Sequence, residues 1–340
     1  MKKVKTILKK PAEEISESME LDTYSKKIMF IDHIYAIIYS AIHKCDLTDA
    51  AINNNISKSQ LSKLNTNRSY IPFMLLFYKF VDFYIKSHDY KKYSRYMRII
   101  GIDSTLLKTS INGSGKYHGT EINGIKLHTS SIVYPYTLPL DVLISSANKH
   151  DSSFLNELLE NMDNIDDKLL YSSILVFDLG YYNLERFHEL KEKNILFVSR
   201  IKKNAVYESA GSINGHEIIR FNNGLALRIV RVNINNTEYD YITDILNLDD
   251  EHIAYAYNLR WNIEEFFKTM KSQLKVDKLI SKSLNGILIQ AFSYFIAYII
   301  LNMIIDSIGI SISFSELMRG IRNGRIFYYN NKEVLDLSKI

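Results

Sequence analysis

The chain has one cysteine among its 340 residues, Cys45, so no disulfide can form within it. This scarcity excludes a disulfide-stapled scaffold and fits a reducing compartment. The sequence also lacks internal repeats and low-complexity linkers. The lysines after Met1 are not followed by an apolar segment long enough for a secretory signal. We therefore expect a protein that works inside the cell.

The chain also lacks a strong excess of either charge, since 42 Lys and Arg oppose 38 Asp and Glu to give a net charge of +4. The charge is nevertheless unevenly distributed. Residues 1–100 carry 17 basic and 10 acidic residues, a net +7, so the remainder carries −3. A basic front predicts that residues 1–100 supply much of any attraction to nucleic acid.

Charged and phenolic side chains recur at helical spacing towards the C-terminal third. At about 100° per residue, an unbroken helix would gather them into an arc of about 60°; they are Tyr257, Arg260, Glu264 and Lys271. An acid flanked by two cations on one stripe is an arrangement that could hold a metal ion beside a phosphate. The alternative is a plain solvated face, since an apolar face lies next to the stripe. The apolar face is formed by Leu259, Ile263, Phe267, Met270 and Leu274.

Two short apolar runs each lead into an aspartate. Residues 99–102 precede Asp103, and residues 174–177 precede Asp178, which Gly180 follows. Each run is typical of a buried strand, and each acid is expected where its strand gives way to a turn. Either aspartate alone could be a turn former or helix cap. Taken together, two strand-end acids and one helix-borne acid could converge on one point.

These patterns together resemble the catalytic core of insertion-sequence DDE transposases of the insertion-sequence-four type. The resemblance rests on Asp-Ser-Thr at Asp103, on Asp-Leu-Gly-Tyr at Asp178, and on the pattern Tyr-x2-Arg-x3-Glu-x6-Lys that ends at Lys271. It covers about residues 95–305, with further similar fragments at residues 124–128, 148–152 and 197–202. It implies an α/β RNase H-like core that cuts and joins DNA with two divalent metal ions.

The resemblance also implies roles for individual residues. Asp103 would bridge two Mg²⁺ or Mn²⁺ ions, and Asp178 and Glu264 would each complete one side. Such ligands agree with the preference of Mg²⁺ for carboxylate oxygens and with ions about 4 Å apart. Glu265 is the alternative to Glu264. Phosphates of the DNA end would be bound by Tyr257, Arg260, Lys271 and also Lys268, which is otherwise an ordinary exposed lysine.

Lys126 and His128 are expected to support the site from nearby. His128 has no Cys or His partner at metal-ligand spacing, and two-metal hydrolysis requires no imidazole. A structural role is the alternative for both residues.

The sequence predicts five segments. Residues 1–95 form a helical, DNA-binding domain, and residues 96–202 form the first part of the RNase H-like core. Residues 203–248 form a β-rich insertion before the last catalytic acid, residues 249–310 complete the core with the catalytic helix, and residues 311–340 form a C-terminal segment. Short alternating runs separated by Asn-Gly and Asn-Asn turns indicate the insertion. It has no Trp, so the candidates for stacking on a flipped base are Tyr207, Tyr239 and Tyr241.

Residues 46–52 and 57–64 are typical of a helix-turn-helix, with Ser57 as N-cap of the second helix. A plain helical bundle is the alternative. The groups that could reach DNA from this second helix are Lys58, Ser59, Gln60, Ser62, Lys63, Asn65 and Arg68.

The expected function is cleavage and strand transfer at the ends of the protein's own insertion sequence. Its partners would be double-stranded DNA, as terminal inverted repeats and target DNA, and a second copy in a homodimer assembled on DNA. We expect it in the cytoplasm of a prokaryotic cell, associated with the nucleoid and not with a membrane.

The alternatives are a domesticated DNA-binding protein, a host-serving DDE nuclease, and a membrane protein built on the apolar run of residues 284–305. That run contains polar residues and lacks a flanking basic excess.

Overall fold

A computed structural model describes residues 1–23, 28–88, 98–109, 111, 114–117, 120–165, 169–234, 236–308, 311–324, 326–329 and 332–336. The chain divides into two compact units. A helical unit comprises Met1–His88, Lys108–Ser114 and Phe267–Ile340, and a sheet unit comprises Asp89–Leu107 and Gly115–Phe266. The boundary predicted at residue 95 lies outside the described residues, and the five-segment division stays a prediction.

Helices form most of the N-terminal and C-terminal parts of the chain, and between those parts strands alternate with shorter helices. In chain order they are α1 Lys2–Ser18, α2 Phe30–His43, α3 Leu47–Asn53, α4 Lys58–Asn67, α5 Ile71–Ser87, α6 Leu155–Ile165, α7 Leu184–Glu192, α8 Asp250–Asn258, α9 Trp261–Gln273, α10 Leu284–Ile308 and α11 Phe314–Arg322. Two short 3₁₀ helices, Asp151–Phe154 and Leu179–Tyr181, precede α6 and α7.

The predicted helix-turn-helix of the N-terminal region corresponds to α3 and α4. The Asp46 side chain accepts hydrogen bonds from the backbone N–H groups of Thr48 and Asp49 and so caps α3. Ser57 caps α4 by accepting from the backbone N–H of Gln60, which confirms the predicted N-cap.

The helical unit is built around α10. Sixteen of its 25 residues are buried, including the whole stretch 289–301, and α2 and α5 pack against it. By length and composition α10 could cross a membrane, but 83% of its most apolar window is buried inside the protein. A helix that is apolar on all sides is also what the centre of a bundle requires. We therefore interpret α10 as the core of its unit.

The sheet unit contains a sheet of ten strands. They are β1 Arg98–Lys108, β2 Gly115–Lys116, β3 Asn123–Tyr134, β4 Leu138–Ser146, β5 Ser173–Phe177, β6 Leu196–Arg200, β7 Tyr207–Ile213, β8 His216–Phe221, β9 Ala226–Ile234 and β10 Thr237–Thr243. A separate antiparallel pair is formed by β11 Ile326–Tyr329 and β12 Lys332–Asp336.

The order of the large sheet is β2-β3-β1-β5-β6-β10-β9-β8-β7, with β4 paired to β3. Strands β1, β5 and β6 are parallel neighbours, whereas β3 and β4 form an antiparallel pair. The strands β7 to β10 fall within the predicted insertion and form an antiparallel series that joins β6 through β10. The predicted α/β core with a β-rich insertion and N-terminal helices is confirmed.

Candidate active site

The register between β1 and β5 brings two of the predicted acids side by side. The parallel pairing of these strands ends at Ile102 and Phe177, so the next residues are Asp103, which is still in β1, and Asp178, which directly follows β5. Neighbouring strands lie about 4.8 Å apart. The expectation that β1 ends at Asp103 was wrong, because β1 continues to Lys108 beside β3. Only the pairing with β5 ends there.

Asp103 lies in an enclosed position. Its side chain is 15% exposed, and its carboxylate accepts a hydrogen bond of 2.7 Å from the backbone N–H of Ser104. The pKa of Asp103 is raised to about 7, chiefly by burial and also by the charges of Asp178 and Glu264, while the Ser104 N–H and Arg260 oppose the rise. The other two acids therefore act electrostatically on Asp103.

The predicted single helix from Tyr257 to Lys271 is in fact two helices. Helix α8 ends at Asn258 and α9 begins at Trp261. The backbone N–H of Arg260 bonds to the carbonyl of Tyr257 at 3.0 Å, and that of Ile263 bonds to the carbonyl of Arg260 at 3.0 Å. These three-residue hydrogen bonds form a tighter turn than an α-helix. The prediction that Tyr257, Arg260, Glu264 and Lys271 share one stripe of a single helix was therefore wrong, because Arg260 lies in the turn between two helices.

Arg260 connects two of the acids. One guanidinium nitrogen lies 3.3 Å from Asp103 Oδ2, and the other lies 2.8 Å from Glu264 Oε1. The Arg260 side chain is 8% exposed and that of Asp103 15%, so their contact is shielded from bulk water, whereas the Glu264 side chain is 38% exposed and its contact is partly open to solvent. Glu265, the alternative acid, is exposed on α9. The geometry thus favours Glu264 over Glu265 as the acid that faces Asp103.

Tyr257 is almost fully buried, with 4% of its surface exposed. Its ring lies 4.8 Å from the ring of Tyr241 on β10, and the Arg260 guanidinium lies 5.8 Å from the Tyr257 ring centroid. Burial raises the pKa of Tyr257 to about 12. The ring therefore packs beneath Arg260, and the predicted phosphate contact of Tyr257 stays a prediction.

The predicted base-stacking tyrosines differ in exposure. Tyr241 is 1% exposed, which leaves it no free face for a base, whereas Tyr207 is 37% exposed and Tyr239 is half-buried. The Arg200 guanidinium lies 5.2 Å from the Tyr239 ring centroid. Trp261, beside Arg260, is 58% exposed and was not among the predicted stacking residues.

Lys268 and Lys271 follow Glu264 on α9. They are four and seven residues beyond it, so one face of the helix carries all three side chains. Lys268 is exposed, and Lys271 is half-buried with a pKa lowered by burial. Both residues belong to the helical unit, and their predicted phosphate contacts stay predictions.

Lys126 and His128, the predicted supporting residues, both face Asp151. The Lys126 ammonium donates to Asp151 Oδ1 at 2.9 Å, and His128 Nδ1 lies 3.6 Å from the same oxygen. His128 is fully buried, and burial lowers its pKa to about 4, so its imidazole is neutral at physiological pH. Sequence reasoning assigned no role to Asp151, although it lies in one of the fragments that carried the family resemblance.

The donor chemistry of this site fits divalent cations. Three carboxylates supply the hard oxygen ligands that Mg²⁺ prefers, and the Arg260 guanidinium already lies between Asp103 and Glu264, so the position favours positive charge. In the described part of the chain, no three His, Cys, Asp or Glu side chains are grouped closely enough to hold one ion. The acids are arranged around Arg260.

Comparison with known proteins identifies similar chains. The sequence model of the family described as transposase DDE domain matches residues 95–300. A Synechocystis sp. protein assigned as a transposase for insertion sequence element IS4SA is 29% identical over 220 residues, which is 62% of this chain and 61% of that protein. A Geobacillus stearothermophilus protein assigned as a transposase for insertion sequence element IS5377 is 28% identical over 250 residues, covering 66% and 62% respectively. The chain thus spans about three fifths of the length of these relatives.

Proposed function

The chain belongs to the transposase DDE domain family, and from that premise we propose that it cuts and joins DNA at the ends of its own insertion sequence. The proposal is carried by one observation. Asp103 and Asp178 are the first residues beyond the paired ends of two parallel strands, and Glu264 shares the Arg260 guanidinium with Asp103.

Asp103, Asp178 and Glu264 are the residues that would hold two Mg²⁺ or Mn²⁺ ions. When bound, such ions supply activation of the attacking water or 3′-hydroxyl and stabilisation of the leaving oxygen. The raised pKa of Asp103 supports this assignment, because a buried carboxylate with acidic neighbours gains more from a nearby cation than an exposed one does.

Arg260 balances the negative charge of Asp103 and Glu264 in the free protein. We infer that, on DNA, its guanidinium forms charge-assisted hydrogen bonds with a phosphate of the transposon end. Lys268 and Lys271 would bind phosphates further along, since they continue the same face of α9. Trp261 and Tyr239 retain exposed ring surface beside this region.

The partners we propose are terminal inverted repeats and target DNA, bound by a homodimer assembled on the DNA. The exposed lysines of α4, Lys58 and Lys63, supply positive charge in the helix-turn-helix. Two of the predicted contacts from this helix are withdrawn. Asn65 is 2% exposed and bonds to His33, and Arg68 is paired with Asp22 at 3.4 Å. We place the protein in the cytoplasm of a prokaryotic cell, on its nucleoid.

The adjacent glutamates offer a matched test. Glu264→Gln removes a carboxylate that contacts Arg260, whereas Glu265→Gln removes an exposed neighbour on the same helix turn. We expect cleavage of DNA carrying the element's ends to fall about 100-fold or more in Glu264→Gln and to stay near wild type in Glu265→Gln. Asp103→Asn and Asp178→Asn should behave like Glu264→Gln. DNA binding measured in Ca²⁺ should be retained by all four variants.

Two other results would redirect the function. Binding without cleavage by the wild-type protein in Mg²⁺ or Mn²⁺ would identify a domesticated DNA-binding protein. Cleavage without joining, on DNA that lacks inverted repeats, would identify a host-serving nuclease. A reversed pattern for the two glutamates would instead move the third ligand to Glu265.

A further inference from the structure

A hydrogen-bonded polar cluster with one carboxylate lies beside the proposed catalytic acids. Its centre is Asp151, the first residue of the 3₁₀ helix Asp151–Phe154. The Ser104 hydroxyl donates to Asp151 Oδ1 at 3.1 Å. Ser104 is the residue after Asp103, so Asp151 holds the backbone that carries one proposed ligand.

Asp151 also lies against the backbone that carries the second proposed ligand. A Cβ atom added to Gly180 would lie 3.0 Å from Asp151 Oδ2, so only a glycine allows this close approach without displacement. Gly180 is the second residue after Asp178. The 3₁₀ helices Asp151–Phe154 and Leu179–Tyr181 pack against each other at this point.

The cluster extends from Asp151 to His128 and, through His128, to Tyr181 and Ser145. His128 Nδ1 lies 3.2 Å from the Tyr181 hydroxyl, and His128 Nε2 lies 2.8 Å from the Ser145 hydroxyl. The imidazole stacks on Phe154 with ring centroids 4.2 Å apart. Asp151 thus contacts Ser104 next to Asp103, and it reaches the turn after Asp178 both directly at Gly180 and through His128 and Tyr181.

The charge of Asp151 is compensated within the cluster. Lys126, whose side chain is 6% exposed, donates to Asp151 Oδ1 at 2.9 Å and to the carbonyl of Lys149 at 3.0 Å. The Lys126 side chain is buried while that of Asp151 is 21% exposed, so breaking the pair would leave a buried lysine charge without its partner. Asp151 is thus committed to Lys126 and Ser104 and is not a free ligand.

We propose that Asp151 is a positioning residue that fixes the spacing of the Asp103 and Asp178 carboxylates, with Lys126 as its fixed counter-charge. This inference rests on the proposed function, because it takes those two aspartates as metal ligands. Side chains that orient ligands from behind typically change metal affinity or activity 10–100-fold when they are removed. Asp151 acts on the metal site through Ser104 and through the 3₁₀ turn that contains Gly180 and Tyr181.

The test measures metal binding separately from catalysis. Mn²⁺ would be titrated into the full-length protein without DNA, and free Mn²⁺ would be followed by its electron paramagnetic resonance signal. We expect Asp151→Asn to raise the Mn²⁺ dissociation constant about tenfold. Ser104→Ala, which leaves the Asp151–Lys126 pair intact, should raise it by a smaller factor.

Asp141→Asn is the matched control for general destabilisation. Asp141 is fully buried on β4 and accepts a hydrogen bond from Asn161 at 2.7 Å, away from the cluster around Asp151. This variant should lower the melting temperature while leaving the Mn²⁺ dissociation constant at the wild-type value. If Asp151→Asn does not fold, the double variant Asp151→Asn/Lys126→Gln removes the unpaired buried lysine and should give the same tenfold change.

The outcomes distinguish this inference from the proposed function. Wild-type Mn²⁺ affinity in the folded Asp151 and Ser104 variants, together with loss of binding in Asp103→Asn, would overturn the positioning role and leave the proposed function standing. Equal weakening in Asp141→Asn and Asp151→Asn would also overturn it, because general destabilisation would then explain both. A wild-type protein that neither binds Mn²⁺ nor cuts DNA would overturn the proposed function and this inference with it.

Discussion

At the scale of residues, the most consequential side chain is Arg260. Among the described residues, Arg260 forms ion pairs with both Asp103, at 3.3 Å, and Glu264, at 2.8 Å. Even with this partner, burial raises the pKa of Asp103 to about 7 from a usual value of 3.8. The folded protein without metal therefore holds Asp103 as an anion at a cost in stability.

This cost predicts a pH dependence of stability. Because the pKa of Asp103 is higher in the folded than in the unfolded state, the folded state retains a proton that the unfolded state releases between pH 4 and pH 7. This group therefore lowers the free energy of unfolding as pH rises through that window, and the effect levels off above pH 7. Between pH 5 and pH 8 the loss should be about 2 to 3 kcal/mol.

Asp103→Asn tests this prediction, because an amide cannot ionise. Urea unfolding in the presence of a chelator should give a smaller decrease in stability between pH 5 and pH 8 for the variant than for the wild-type protein. Identical decreases would mean that Asp103 ionises in the folded state as easily as an exposed aspartate does.

The sequence predicts Asp103, Asp178 and Glu264 as site residues because each has a recognisable local context. Asp151 could not be identified in this way. Its partners Ser104 and Lys126 are 47 and 25 residues away in sequence, and only the folded chain brings them together. The burial of Asn65 and Tyr257 was unpredictable for the same reason, since helical spacing does not reveal which face a neighbouring helix or strand covers.

At the scale of elements, the close packing of α9 on β1 positions Glu264. A Cβ atom added to Gly101 would lie 3.1 Å from Val133 Cγ1 and 3.7 Å from Ile263, the residue before Glu264. The absence of a side chain at Gly101 therefore lets the first turn of α9 lie close to the strand that carries Asp103.

Gly101→Val should displace that turn. We expect a loss of about 1 to 3 kcal/mol in stability from overpacking and a decrease in DNA cleavage larger than the stability loss alone explains. Gly101→Ala should show a smaller effect of the same kind. Adding Val133→Ala to Gly101→Val opens space and should recover part of both losses, as measured by urea unfolding and single-turnover cleavage. Wild-type cleavage by the Gly101→Val protein would contradict this account of the packing.

Sequence periodicity predicted the element types better than their ends. The run before Asp103 was correctly identified as a strand, but its continuation to Lys108 depends on pairing with β3, which lies far along the chain. The turn between α8 and α9 contains neither Gly nor Pro, so no local signal marked it. Asn262 anchors the start of α9 by donating to the carbonyl of Val133 at 2.9 Å, and this contact exists only in the folded protein.

At the scale of the whole molecule, the N-terminal helices both stabilise the helical unit and carry basic charge. Helices α2 and α5 pack on α10, so a protein without residues 1–95 would expose that apolar helix. Truncation is therefore an unsuitable test of DNA binding, and point substitutions are preferable.

Lys58→Gln/Lys63→Gln removes two exposed charges of α4. If each lysine neutralises one phosphate, the slope of log binding constant against log salt concentration should become less negative by about 1.8. Lys10→Gln is a suitable control, since the Lys10 side chain is 88% exposed on α1. An unchanged slope in the double variant, or an equal change in the control, would exclude α4 from phosphate contact.

The strands of the insertion, β7 to β10, lie in the sheet in the reverse of their chain order, and this arrangement offers a place for a label. The chain leaves β6, runs to β7 at the edge of the sheet, and returns strand by strand to β10 beside β6. The turn between β7 and β8 contains Asn214 and Gly215, both with positive φ, and a Cβ on Gly215 would meet nothing within 4 Å. It lies between three and four strand spacings from β6, roughly 15 to 20 Å. A fluorophore or short peptide tag fused at this turn would therefore report on assembly at DNA ends in single-molecule imaging without disturbing the return path of the chain to Glu264.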